Sequence, residues 1–190
     1  MYQNFSITLE FGDILIWTPR DRDPLKVFSS ASVVEKLNGK IVIDLNNRDY
    51  ANEVVGTDNE GSPRWFDTSL CEILQHSLPN ARVVKAFNTV AMEALDTSAE
   101  RLRTTNAQIF LAGNDSNARE TVKQLASGLG FECTDLGPGK VAMRMTEALG
   151  DVIRFIIIDG QQGGRANICV RTLAEPDLNL VGQREESKYH

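Results

Sequence analysis

The chain has 190 residues, 42% of them hydrophobic and 24% charged, with a formal net charge of −6 and an isoelectric point near 5.0. Such a composition describes one globular domain with room for a real core, and its acidic balance removes the basic footprint that nucleic-acid or anionic-membrane binding needs. Cys71, Cys133 and Cys169 are odd in number and far apart, with only His76 and His190 beside them, so reduced thiols of a cytoplasmic protein are expected rather than a disulfide framework or a metal site.

The first residues, Met-Tyr-Gln-Asn-Phe, lack the basic and apolar regions of a signal peptide. A first strand is predicted at Asp13–Trp17, leaving through Thr18-Pro19-Arg20. Leu25 to Leu37 carries Val27, Ala31, Val34 and Leu37 at helical spacing and stops at Asn38-Gly39, a C-terminal signal. The second strand, Lys40–Leu45, runs into Asn46-Asn47. Asp49 to Asp67 then reads as a long polar loop with Trp65 and Phe66 near its end, of the kind that is functional or mobile more often than core.

Thr68 to Leu78 has helical character, with Ser69-x-x-Glu72 as a capping box. A third strand at Arg82–Phe87 leads to Asn88-Thr89, and a fourth at Gln108–Ala112 leads to the turn Gly113-Asn114-Asp115. The next helix runs from Asn117 to Ser127, entered through Asn117-x-x-Glu120 and closed by Gly128 and Gly130, before a short strand at Phe131–Thr134. The glycine-rich turn Asp135 to Lys140 opens a helix from Val141 to Ile158, amphipathic through Met145, Leu149, Val152 and Ile156 and apolar nearly all round in its last two turns. Arg154 and the short apolar run argue against a membrane span. Cover from the rest of the domain and cover from a partner subunit satisfy that helix equally well. From Gly160 the chain is polar, with a strand expected at Ile168–Leu173 and a charged tail to His190. The expected organisation is a folded unit over 1–159 and an extension over 160–190.

Strands alternating with helical segments give an α/β fold: a parallel sheet with helices on both faces. Such a sheet holds ligands across the carboxyl ends of its strands. Thr18-Pro19 either makes a tight turn or offers the Thr18 hydroxyl and carbonyl to a ligand. Asn46 and Asn47 either tolerate a left-handed turn or give and take hydrogen bonds as a nicotinamide carboxamide or a ribose requires. Lys85, Phe87 and Asn88 offer charge, a stacking face and an amide; alternatively Phe87 is core and Asn88 caps a helix. The turn at Asp135 to Lys140 is a weaker candidate, for an anion. No nucleophile with its base and no metal motif is present, so no catalytic residue and no metal ligand is assigned. Hydride transfer fits what remains, because cofactor and acceptor do the bond-making while the protein aligns them.

Ordered motifs give a family resemblance. Gly12-Asp13-Ile14-Leu15-Ile16-Trp17-Thr18-Pro19, Gly39-Lys40-Ile41-Val42-Ile43-Asp44, Leu78-Pro79-Asn80-Ala81-Arg82-Val83-Val84-Lys85-Ala86-Phe87-Asn88-Thr89, Ala112-Gly113-Asn114-Asp115, Leu129-Gly130-Phe131 and Asp135-Leu136-Gly137-Pro138, leading into the final helix with Glu147, resemble, in order, the coenzyme F420-dependent NADP oxidoreductase family, which includes the cytosolic domain of six-transmembrane metalloreductases. The resemblance implies a Rossmann-like fold and NADP as cofactor, NAD remaining open, with the nicotinamide near Pro19, Asn47 and Asn88. The cofactor-binding set is expected to be Thr18, Pro19, Asn46, Asn47, Phe87 and Asn88. Met1 to Gly12 holds one glycine and is too short for the strand, G-x-G-x-x-G turn and helix that open a dinucleotide fold. The N-terminal βαβ part is therefore expected to be absent and cofactor binding by this chain weak. The family's use of its last helix in dimer contacts implies a homo-oligomer. Three readings follow: an NADP(H)-dependent oxidoreductase passing hydride to or from a flavin, deazaflavin or other small acceptor, a degenerate, non-catalytic Rossmann protein serving as a dimeric binding or scaffold subunit, or a small-molecule binder that uses the crevice without redox chemistry.

Overall fold

The computed structural model describes residues 9, 11–19, 23–47, 68–158 and 160–174. The predicted loop at Asp49 to Asp67 and the end of the charged tail lie outside the described residues. Five strands, β1 Ile14–Trp17, β2 Ile41–Asp44, β3 Arg82–Ala86, β4 Gln108–Gly113 and β5 Glu132–Asp135, form one sheet in that order. The helices are α1 Pro24–Val27, α2 Ala31–Glu35, α3 Leu70–Ser77, α4 Met92–Leu95, α5 Ala99–Thr104, α6 Ser116–Gly128 and α7 Lys140–Ile158.

The sheet is mostly parallel, as the alternation predicts: β1 with β2, β2 with β3, and β4 with β5. The pair β3 and β4 is antiparallel, which the sequence reading did not anticipate. Its cause lies in the connection. A parallel crossover needs a dozen or more residues, usually one helix that retraces the sheet; α4 and α5 have 4 and 6 residues and break between them. β4 therefore enters at the end where β3 leaves, and the carboxyl ends of β4 and β5 point away from those of β1, β2 and β3.

The period-two pattern sorts the strands onto two cores. Trp17, Val42 and Val83 join Leu74, Leu78 and Met143 on one face, while Ile43, Val84 and Ala86 join Ile109, Val122 and Phe131 on the other. The single helix predicted over Leu25 to Leu37 is two pieces. Ser29-Ser30 favours a cap over a helix interior, Ser30 becomes the N-cap of α2, and Phe28 turns inward onto Trp17 with ring centroids 5.0 Å apart. At α6 the cap is Asp115, whose carboxylate takes the Ala118 amide at 2.7 Å, rather than Asn117. The capping box of α3 forms as predicted.

No strand forms at Ile168–Leu173. Before Leu111, β4 has no β3 partner in the register, and a side chain fills the gap: the Gln108 amide donates to Asn167 Oδ1 at 2.8 Å while Asn167 Nδ2 donates to the Gln108 carbonyl at 2.9 Å. An amide imitates the donor and acceptor of a neighbouring strand. Asn167→Ala is expected to cost about 1–3 kcal/mol in urea unfolding, because the buried Gln108 loses both backbone partners; an unchanged midpoint would mean that the segment merely rests there.

The outer edge of β1 pairs with no strand among the described residues, and Ile16 is 56% exposed. No described helix is long and apolar enough to cross a membrane.

Candidate functional site

The carboxyl ends of β1, β2 and β3 meet the middle of α7, and a buried ionic group lies at the junction. Asp44 and Lys85 are direct partners in the β2–β3 register, and both are fully buried. The Lys85 ammonium is 3.0 Å from Asp44 Oδ2 and 3.2 Å from Glu147 Oε2 of α7, and it donates to the Asn46 carbonyl. Glu147 Oε2 also accepts the Leu70 amide at 2.8 Å, which ties α7 to the start of α3. Burial alone would lower the Lys85 pKa, but attraction to Asp44 and then to Glu147 outweighs it and raises the value. Lys85 is thus a cation at every ordinary pH.

This group holds the turn after β2. Asp44 Oδ1 accepts from the Asn46 backbone at 3.0 Å and from Asn46 Nδ2 at 3.1 Å, and the same Nδ2 reaches the Trp17 carbonyl at 3.2 Å. Asn47 comes next. Its Nδ2 donates to the Asn88 carbonyl at 2.6 Å, and Asn88 Nδ2 donates back to Asn47 Oδ1 at 2.9 Å and to the Thr146 carbonyl of α7 at 2.8 Å. With both amide protons committed to oxygens, the orientation of Asn88 is fixed. Its Oδ1 is buried without a hydrogen-bond partner, as is the hydroxyl of Thr89. Gly150 makes this contact possible, since a Cβ there would lie 2.1 Å from Asn47 Oδ1 and 2.7 Å from Asn88 Nδ2.

The six residues singled out from the sequence separate accordingly. Asn47 and Asn88 come together; Thr18, exposed, and Pro19, half-buried, follow β1 at the same end of the sheet. Asn46 is a structural tie whose amide protons are spent on β1 and Asp44. Phe87, 7% exposed, offers no stacking face: it packs in the core against Phe131, edge to face at 6.1 Å. Its φ of 61°, rare for a bulky residue, makes the bend after β3 that carries Asn88 back toward β2. Asn88 caps no helix, because α4 begins at Met92 with Ala91 as its N-cap. Lys85, read as a charge for a ligand, is consumed by the buried group. The turn Asp135 to Lys140 sits at the opposite end of the sheet because β4 and β5 are reversed, and its Gly137 and Gly139 amides already bond Asp135 and Asn114.

Sequence reasoning missed Thr146 and Gly150, and it marked Glu147 by resemblance alone, without a role. One signal was available: a lysine inside Arg82-Val83-Val84-Lys85-Ala86 beside an aspartate ending Ile41-Val42-Ile43-Asp44 asks for a buried partner, since neither charge is tolerated alone. A cavity of about 530 Å³ lies beside α3 and the start of α7, lined by Leu25, Glu72, His76, Asn114, Lys140 and Met143 among others; neither crevice asparagine borders it. No group of metal-ligating side chains exists among the described residues.

A second ion pair braces α7 on α3. Arg144 meets Glu72 through two bonds, Nε to Oε2 at 2.8 Å and Nη2 to Oε1 at 2.9 Å. Partial burial works to raise the Glu72 pKa, but the bonds from Arg144 and Ser69 outweigh it and the value falls below the ordinary 4.5. A depressed carboxyl stabilises the fold above its unfolded value and loses that contribution as pH falls through its folded one. Acid unfolding followed by circular dichroism is therefore expected to show a shallower loss of stability below about pH 4.5 in Glu72→Gln than in the unmodified chain; parallel curves would show that the pair contributes nothing.

No family model matches the chain. In sequence it is 30% identical to metalloreductase STEAP3 of Rattus norvegicus over 109 residues, 57% of this chain and 20% of that protein. It is also 30% identical to metalloreductase STEAP2 of Mus musculus over 101 residues, 53% of this chain and 18% of that protein. The chain spans about a fifth of the length of these curated relatives. In fold it is similar to a putative F420-dependent NADP-reductase from Arthrobacter sp. FB24, with a TM-score of 0.65 and 23% identity over 88% of this chain and 74% of that one. The resemblance read from the motifs is the one these comparisons return, and the mixed α/β sheet is Rossmann-like.

Proposed function

We propose that this chain forms the nicotinamide-binding half of an NADP-dependent oxidoreductase that exchanges hydride with a flavin, deazaflavin or other small acceptor. The observation that carries the reading is the asparagine pair at the carboxyl ends of β2 and β3, where Asn88, 4% exposed, keeps a carboxamide oxygen without a donor. A nicotinamide carboxamide supplies an N–H for that oxygen and a carbonyl for the donors around it. Asn47, the half-buried member of the pair, stays bonded to Asn88 and borders the same position. The relatives' names, metalloreductase and NADP-reductase, support the same chemistry.

The cofactor supplies the hydride; this chain's residues bind, orient and exclude water. Asn88 would hold the carboxamide, with the Thr146 carbonyl and the Gly150 backbone of α7 beside it and Pro19 at the same end of the sheet. The 190 residues contain no G-x-G-x-x-G, the turn that receives a pyrophosphate. Titration calorimetry with NADPH is therefore expected to give a dissociation constant weaker than low micromolar, and tight binding would mean that another segment receives the phosphates. Asn88→Ala is expected to slow NADPH oxidation by a flavin about 10–100-fold, as a misplaced reactant does, while lowering stability by only about 1–3 kcal/mol. Normal turnover would leave Asn88 a structural residue.

The scaffold reading draws on the outer face of α7, where Val141, Met145, Val152 and Phe155 are exposed at helical spacing. An isologous dimer covers such a stripe, and it suits the enzyme as well as the scaffold. Light scattering is expected to show a dimer that Phe155→Glu converts to a monomer. The three cysteines are free, which suits a reducing cytoplasm.

A further inference from the structure

We infer that Lys85 positions Asn47, acting through the Asn46 carbonyl, so that the crevice asparagine is aimed by a fully buried cation. The inference deepens the proposed function and rests on it. The Lys85 ammonium has three partners: Asp44 Oδ2, which accepts a hydrogen bond, Glu147 Oε2, an ion pair at 3.2 Å, and the Asn46 carbonyl, which accepts a hydrogen bond. The first two hold a strand and a helix. The third is the peptide oxygen immediately before Asn47.

Asp44 fixes the other side of the same residue by taking the Asn46 backbone and side-chain amides. The backbone from which Asn47 springs is thus held at its N–H, its C=O and its side chain. The bonds close a ring: Lys85 to Asn46, along the chain to Asn47, across to Asn88, from Asn88 to the Thr146 carbonyl, along α7 to Glu147, and back to Lys85. Replacing a buried ionic triad by apolar groups is often neutral for stability. What the ring supplies is direction, because each bond fixes the next residue's position.

Nitrogen-15 NMR on the 190-residue chain tests this. In the unmodified chain the Lys85 ammonium protons exchange slowly and show cross-peaks to Asn46 or Asn47; their absence overturns the inference without any variant. Lys85→Met removes the donor but leaves two buried carboxylates facing each other, so the triple variant Asp44→Asn, Lys85→Met, Glu147→Gln is made beside it. Its amides keep acceptors for Asn46 and Leu70 while no buried charge is left unpaired. The Asn47 side-chain amide is expected to exchange about tenfold faster or more in the variants, with protection in β4 and α6 unchanged, and its NADP⁺-induced shift to disappear. Unchanged Asn47 exchange in a folded variant overturns the inference. Faster exchange, with no NADP⁺ shift at Asn47 even in the unmodified chain, upholds the positioning and overturns the cofactor reading instead.

Discussion

Gly150→Ala is expected to abolish the NADP⁺ response at Asn47 and Asn88 while leaving the chain folded. The added Cβ falls 2.1 Å from Asn47 Oδ1, 2.6 Å from Asn47 Cγ and 2.7 Å from Asn88 Nδ2. Of the two asparagines Asn47 is the more exposed, so its side chain is displaced and the pair separates. Overpacking costs about 1–3 kcal/mol, but alanine is better than glycine inside a helix by about 0.8–1 kcal/mol. The net loss is therefore about 2 kcal/mol or less, small beside the loss of the site. Urea unfolding gives the first quantity and an NMR titration the second. Retained cofactor shifts at both asparagines would show that the close approach of α7 does not shape the site.

Asp44→Ala is expected to have the largest effect on stability, about 3–5 kcal/mol, the usual cost of removing one partner from a buried charge cluster. Lys85 would keep Glu147 but lose its 3.0 Å partner, the Asn46 backbone amide would lose its acceptor, and Asn46 Nδ2 would keep only the Trp17 carbonyl. The pH dependence has a definite sign. A raised lysine pKa stabilises the fold fully below the unfolded value near 10.5 and is lost only as pH rises through the higher folded one. The unmodified chain is therefore expected to show no contribution from Lys85 to pH dependence between about pH 6 and 9 and a loss in strong alkali. Denaturant midpoints measured from about pH 6 into strong alkali check both statements, and an Asp44→Ala variant as stable as the parent would show that the triad contributes nothing.

The strands were legible because their signal is local. Ile41-Val42-Ile43 and Ile109-Phe110-Leu111 are apolar runs of strand length bounded by turn residues, and burial on both faces follows from them. The capping box at Ser69 was legible for the same reason. What the sequence hid is relational. Nothing within residues 87–107 announces that two short helices will replace one crossover, so the reversal of β4, and with it the removal of the Asp135 to Lys140 turn from the crevice, appeared only in three dimensions. Lys85 looked like a ligand group because its partners lie 41 residues before it and 62 after it in the chain. Gly150 sits in the middle of a helix with an ordinary pattern, where only the approach of Asn47 explains it.

The claim that the nicotinamide end of a dinucleotide meets the Asn47 and Asn88 pair is tested most directly by comparing two ligands in the side-chain amide region of the ¹⁵N NMR spectrum: NADP⁺, and adenosine 2′,5′-bisphosphate, which lacks the nicotinamide. Millimolar NADP⁺ is expected to shift the amides of Asn47 and Asn88, and the bisphosphate to leave both unmoved. Shifts confined to Gly137 to Lys140 at the other end of the sheet, or equal responses to the two ligands, would contradict it.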